Sequence, residues 1–118
     1  MFEESIQKFI NDNPGFWGGV IIGIDGIPVE QRTVSEKINL ETAATEYITL
    51  LKQANQINEQ ERIGMVNEII FINLSVLIII HHITAEYYFL GAFSPDSTLG
   101  EIRYKITKFT DELAKEFS

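Results

Sequence analysis

His81 and His82 are the side chains of this chain best suited to carrying protons or holding a metal at neutral pH. They stand next to each other in a run rich in strand-forming residues. Neighbours on a strand point to opposite faces, so the two rings cannot share one ion. No Cys, Asp or Glu stands at ligand spacing beside them. We read them as a rim pair near a strand end, with His82 free to titrate near neutrality if part-buried. No metal site is expected.

The remaining chemistry-bearing residues form no constellation. Gly15-Phe16-Trp17-Gly18-Gly19 has the composition of a glycine-rich loop, but it precedes a strand, whereas a phosphate loop follows a strand and opens a helix. It also lacks the required lysine and hydroxyl residue. We expect a strand start, with Phe16 and Trp17 as an aromatic lid on the sheet edge. Asp96, Glu101, Asp111 and Glu112 fall at a helix start or on a solvated face, without the cleft that acid–base pairs need. Ser75, Ser94 and Ser97 lack a nucleophile-elbow context. Arg32, Arg62 and Arg103 are the only arginines, and we read them as solvated surface rather than as a finger on a phosphoryl-transfer site. No catalytic residue, cofactor site or enzymatic activity is expected.

The elements that would position these residues are legible from apolar spacing. The 118 residues suffice for one domain, residues 1–118, with one real core. Phe2, Ile6, Phe9 and Ile10 recur at helical spacing, and Asn13-Pro14-Gly15 stops that helix. A strand over 18–24 and an alternating strand over 27–34 flank Asp25-Gly26, a hairpin signal whose two central residues are expected at positive φ. Pro28 places the second strand at an edge. Residues 39–57 form the longest helix, with Asn39 as its N-cap and Leu40, Ala43, Ala44, Tyr47, Ile48, Leu51 and Ala54 in one stripe. Three strands follow, over 65–72, 75–83 and 87–93, with connections short enough to force antiparallel neighbours. Thr98 and Glu101 fit a capping box for a last amphipathic helix carrying Leu99, Ile102, Ile106, Phe109, Leu113 and Phe117. The expected fold is α+β, an α/β sandwich: a five-stranded antiparallel sheet with helices on both faces, in the order α-β-β-α-β-β-β-α.

Charge and composition narrow the partners. The formal net charge is −8, so nucleic acid and anionic membrane surfaces are poor candidates. The acidity serves solubility or complements a basic patch on a protein. There is no cysteine, which excludes disulfides and thiolate metal sites. The stretch 69–80 falls short of the about 20 apolar residues of a membrane span. Met1-Phe2-Glu3-Glu4 offers neither a basic flank nor an apolar signal core, so a cytoplasmic protein is expected.

Association is the strongest functional signal. The strand over 65–72 is apolar and becomes an open edge once the sheet is ordered, and such an edge invites a second chain. The long helix mixes small residues, Ala43, Ala44 and Ala54, with large ones, Tyr47 and Leu51, which allows close helix approach. The expected dimer interface comprises Ala44, Tyr47, Ile48, Leu51, Asn67, Ile69 and Phe71.

Several local patterns, in this order, resemble the Roadblock/LC7 family over nearly the whole chain. Gly19-Val20-Ile21-Ile22-Gly23-Ile24-Asp25-Gly26-Ile27-Pro28-Val29 resembles its first hairpin, Glu41-Thr42-Ala43-Ala44 the start of its central helix, and Leu99-Gly100-Glu101-Ile102-Arg103 the start of its final helix. The resemblance implies a profilin-like sandwich and a homodimer, or a heterodimer with a related chain, joined at the third strand with two central helices side by side. It also implies a non-catalytic platform or regulator of Ras-like small GTPases. Some bacterial relatives accelerate GTP hydrolysis without donating an arginine, and other members act in dynein or lysosomal signalling complexes. The alternative is a small ligand-sensing α/β domain whose pocket is lined by Phe16, Trp17, Tyr87, Tyr88 and Phe89. Hydrolase chemistry has the least support, since no nucleophile and base stand in a recognisable relation.

Overall fold

The long apolar runs of the chain bury both of their faces, and the helices divide between those faces. The computed structural model describes residues 2–117, with the side chain of Phe2 outside the described set. Its elements are α1 (Phe2–Asp12), β1 (Phe16–Gly23), β2 (Pro28–Thr33), α2 (Leu40–Gln60), β3 (Glu68–Ile72), β4 (Leu77–Thr84), β5 (Tyr87–Phe93) and α3 (Leu99–Glu116). The strands form one five-stranded sheet in the order β2-β1-β5-β4-β3, and every pairing is antiparallel. The expected element order and layered architecture are therefore present.

Strand alternation sorts the core into two layers. Ile21, Leu77, Ile79, Phe89 and Phe93 point to the face covered by α1 and α3, where they meet Ile6, Phe9, Ile106, Phe109 and Leu113. Val20, Ile22, Ile78, Ile80, Tyr88 and Leu90 point to the face covered by α2, where they meet Leu40, Ala44, Ile48 and Leu51. Each large side chain buried in this way stabilises the fold by about 1.5–3 kcal/mol before entropy is subtracted.

Phe16 is the first correction. It lies in β1, buried with Phe9 edge-on at 5.1 Å, and is a core residue rather than a lid. Gly19 and Gly91 face each other across β1 and β5 and leave room for these rings. A Cβ on Gly19 would stand 2.7 Å from the Phe89 ring and 2.9 Å from Phe16.

The Asp25-Gly26 turn differs in type from the expected one. Gly26 N–H donates to Gly23 O at 2.9 Å, and Gly26 alone in this turn has positive φ, at 91°. This is a three-residue hairpin loop closing on a glycine bulge, a form that needs one left-handed residue rather than two. Asp25 Oδ1 accepts from Ile27 N–H at 3.0 Å and fixes the loop. The register then slips, with Ile21 facing Glu30 and Ile22 facing Pro28, so Val29 is bulged out.

The helix ends follow expectation at Asn39 and depart from it at Thr98 and at the end of α2. Asn39 Oδ1 accepts from Thr42 N–H at 3.2 Å, as an N-cap should. Thr98 makes no side-chain cap bond, so the capping box is not closed, and Glu101 pairs instead with Lys105 at 3.0 Å. α2 continues to Gln60 and ends with Ile63 N–H on Asn58 O and Arg62 N–H on Glu59 O, a Schellman motif with Arg62 at φ 57° in the position glycine usually fills.

Candidate protein-binding edge

The sheet has two edges, and they are built differently. β2 carries the devices that keep an edge from pairing: Pro28, the bulge at Val29, and the charges of Glu30 and Arg32. β3 reads Glu68-Ile69-Ile70-Phe71-Ile72, with no proline, lysine or bulge, and pairs only with β4. Its last residue, Ile72, is 75 % exposed.

The strand is shorter than the sequence implied. Residues 65–67 lie outside the strand, because side chains hold the backbone of Val66, although Asn67 O still accepts from His82 N–H at 2.9 Å. Asn55 Oδ1 accepts from Val66 N–H at 2.8 Å, and the Tyr88 hydroxyl donates to Val66 O at 2.6 Å. Burial raises the Tyr88 phenol pKa, offset in part by the Asn55 side chain.

The one charged residue of β3 is drawn away from the edge. Glu68 faces His81 directly across the β3–β4 pair. Its Oε2 stands 2.9 Å from His81 Nδ1, and its Oε1 accepts from Arg103 Nε on α3 at 2.7 Å. His81 is thus a buried mid-strand residue rather than a member of a rim pair. His82 points to the other face, as expected, where its ring meets Tyr88 edge-on at 5.5 Å. Burial, and secondarily the neighbouring His81, lower the His82 pKa from 6.5. Among the described residues no group of three His, Cys, Asp or Glu side chains is placed to hold a metal ion.

The expected interface residues separate into two sets. Tyr47, Ile69 and Phe71 lie half-buried along the β3 flank, with the Tyr47 and Phe71 rings 4.6 Å apart, and Asn67 is exposed beside them. Ala44, Ile48 and Leu51 are instead buried beneath α2 against the chain's own sheet. A helix stripe of that spacing faces one layer only, and the sheet has already taken it. A second stripe, Ala43, Tyr47, Leu50, Ala54 and Ile57, is displaced by one residue and remains partly or fully open. Its exposed members Leu50 and Ile57 escaped the sequence analysis, which merged Ala43, Tyr47 and Ala54 into one stripe with the buried residues.

The other sequence candidates are dispersed. Arg32 donates to Gln7 at 3.2 Å, Ser94 Oγ accepts from Asp96 N–H at 3.3 Å, and Ser75, Asp111 and Glu112 are exposed. The aromatic pocket of the ligand-sensing alternative does not form. Phe16 and Phe89 fill one core layer and Tyr88 the other, Tyr87 stacks on Phe117 at 4.1 Å, and Trp17 is covered by Lys37 at 5.3 Å.

The chain is an α/β sandwich with one blunted and one unprotected apolar sheet edge. No family model and no curated protein sequence matches the chain. Solved structures do. MglB of Myxococcus xanthus superposes with a TM-score of 0.80 at 14 % identity, over 93 % of this chain and 89 % of that one. A structure described as MglB with tetrameric arrangement gives 0.81 at 11 % identity, over 95 % and 84 %. A Roadblock/LC7 domain from Streptomyces avermitilis gives 0.72 at 10 % identity, over 94 % and 92 %. The chain therefore has the Roadblock/LC7, MglB-like fold.

Proposed function

We propose that this protein is a non-catalytic dimeric module, one Roadblock/LC7-type domain over residues 1–118, that binds and regulates a Ras-like small GTPase in the cytoplasm. The observation that carries the dimer is the contrast between the sheet edges: β2 is blunted and β3 is not. A seam between two five-residue strands is about 17 Å long, too small alone for the roughly 1,200–2,000 Å² of a stable interface. The open α2 stripe supplies the remaining area. Tyr47, Ile69, Phe71 and Asn67 belong to this contact, while Ala44, Ile48 and Leu51 support it from beneath. The partner is a second copy or a related chain.

The GTPase reading rests on the fold and on the motif resemblance. Among the described residues no helix is long and apolar enough to cross a membrane. The test is to capture Ras-like GTPases from the source organism on the immobilised protein in GTP and GDP states, and to follow hydrolysis with and without it. Preferential binding to one nucleotide state, with a changed hydrolysis or exchange rate, supports the proposal. Equal failure to bind in both states by a demonstrably dimeric protein contradicts it.

A further inference from the structure

The hydrogen-bond phase of β3 restricts how a second copy can join it. His82 N–H donates to Asn67 O at 2.9 Å, and Asn73 N–H donates to Val76 O at 3.2 Å. In an antiparallel pair the residues that exchange bonds alternate. Asn67, Ile69, Phe71 and Asn73 therefore turn their backbone groups toward β4. Glu68, Ile70 and Ile72 turn theirs outward, along the open edge.

Resting on the dimer reading above, we infer that two copies join along β3 in a single register, with Ile70 opposite Ile70 of the second copy on a twofold axis. Glu68 then faces Ile72 of the second copy, and the reverse. All three outward-facing residues of each strand enter the ladder. On the α2 face, Ile69 lies across from Phe71 of the second copy.

The neighbouring symmetric registers each lose a rung. If Ile69 faced its own copy, Ile72 would fall opposite Val66. The Val66 N–H and C=O are already taken by Asn55 and Tyr88. If Phe71 faced its own copy, Glu68 would fall opposite Leu74, in the turn closed by Asn73 and Val76. A register placing Glu68 against Glu68 sets like charges face to face, which is unfavourable. In the inferred register the two carboxylates lie at opposite ends of the seam, each held back by His81 and Arg103.

Amide exchange on the unmodified protein reads this directly. In the inferred register the amides of Glu68, Ile70 and Ile72 all slow by about tenfold or more as concentration rises through the dimerisation range. Protection of Glu68 and Ile70 without Ile72, or of Ile70 and Ile72 without Glu68, marks a slipped register and overturns the inference. Disulfide trapping gives a second measurement in a chain with no native cysteine. Ile69 and Phe71 of the second copy form a pair without mutual hydrogen bonds, with Cα atoms about 4.5 Å apart, inside the range a disulfide spans. An equimolar mixture of Ile69→Cys and Phe71→Cys chains, distinguishable by mass, should oxidise to the mixed dimer, and neither variant should cross-link to itself. Self-cross-linking of either variant, or a dimer that forms no mixed cross-link, contradicts the register. A chain that stays monomeric by light scattering overturns the dimer reading itself, which separates the two failures.

Discussion

Glu68 and His81 face each other across the β3–β4 pair, with Oε2 and Nδ1 2.9 Å apart. An ionised carboxylate only accepts, so Nδ1 carries the proton and the imidazole is held in one orientation. Arg103 closes the cluster from α3 at 2.7 Å. The strand at the open edge is thereby tied to both its neighbour and the helix above it.

Removing the carboxylate should cost more than removing the guanidinium. Glu68→Ala leaves a buried imidazole N–H without its acceptor and should destabilise by about 1–3 kcal/mol. Arg103 is 55 % exposed at its side chain, so Arg103→Ala should cost about 1 kcal/mol or less. Urea denaturation of both variants measures the order. A larger loss for Arg103→Ala would contradict it.

The two helix caps separate in the same manner. Asn39→Ala removes a formed bond to Thr42 N–H and should cost about 1 kcal/mol. Thr98→Ala removes no side-chain cap bond and should cost markedly less. Equal losses in thermal melts would show that Thr98 caps α3 after all.

Gly19→Ala tests the close approach of rings to β1. The added Cβ would fall under 3 Å from both Phe89 and Phe16, inside a core with no slack. Overpacking of this kind should cost about 1–3 kcal/mol. Gly100→Ala meets nothing within 4 Å and lies in a helix, so it should be neutral or mildly stabilising. Denaturant midpoints of the two variants should therefore move in opposite directions or differ clearly in size.

His82 makes stability depend on pH with a defined sign. Its folded pKa lies below 6.5, so on acidification the unfolded chain binds its proton first. Stability linked to this group is complete above about pH 6.5 and falls as pH drops toward the folded value. His82→Gln should flatten that part of the profile between about pH 8 and 5. An unchanged slope would mean that other groups carry it.

The order of elements was legible because apolar period and chain-breaking residues mark each element, as in residues 87–93 and in the Asn39 cap. What was not legible depended on register and layer. Glu68 lies 13 residues before His81, so no spacing rule joins them until the β3–β4 turn is known to span Asn73 to Val76. One residue of slip would have sent Glu68 to the opposite face. Likewise, the stripe through Ala44, Ile48 and Leu51 shows that α2 packs on something, but periodicity alone does not say whether that is its own sheet or a second chain. The strand start at residue 65 failed because Asn55 and Tyr88, distant in sequence, take the backbone of Val66.

Closure of β3 by another copy decides whether the protein is the proposed dimer. Light scattering of the unmodified chain and of Ile70→Lys, over a range of concentrations, tests this most directly. The unmodified protein should reach twice the 13.4 kDa chain mass, and Ile70→Lys, which sets two ammonium groups against each other on the axis, should remain at the single-chain mass with its helix and strand content intact. A mass of one chain for the unmodified protein at every concentration, or a dimer that tolerates Ile70→Lys, would contradict it.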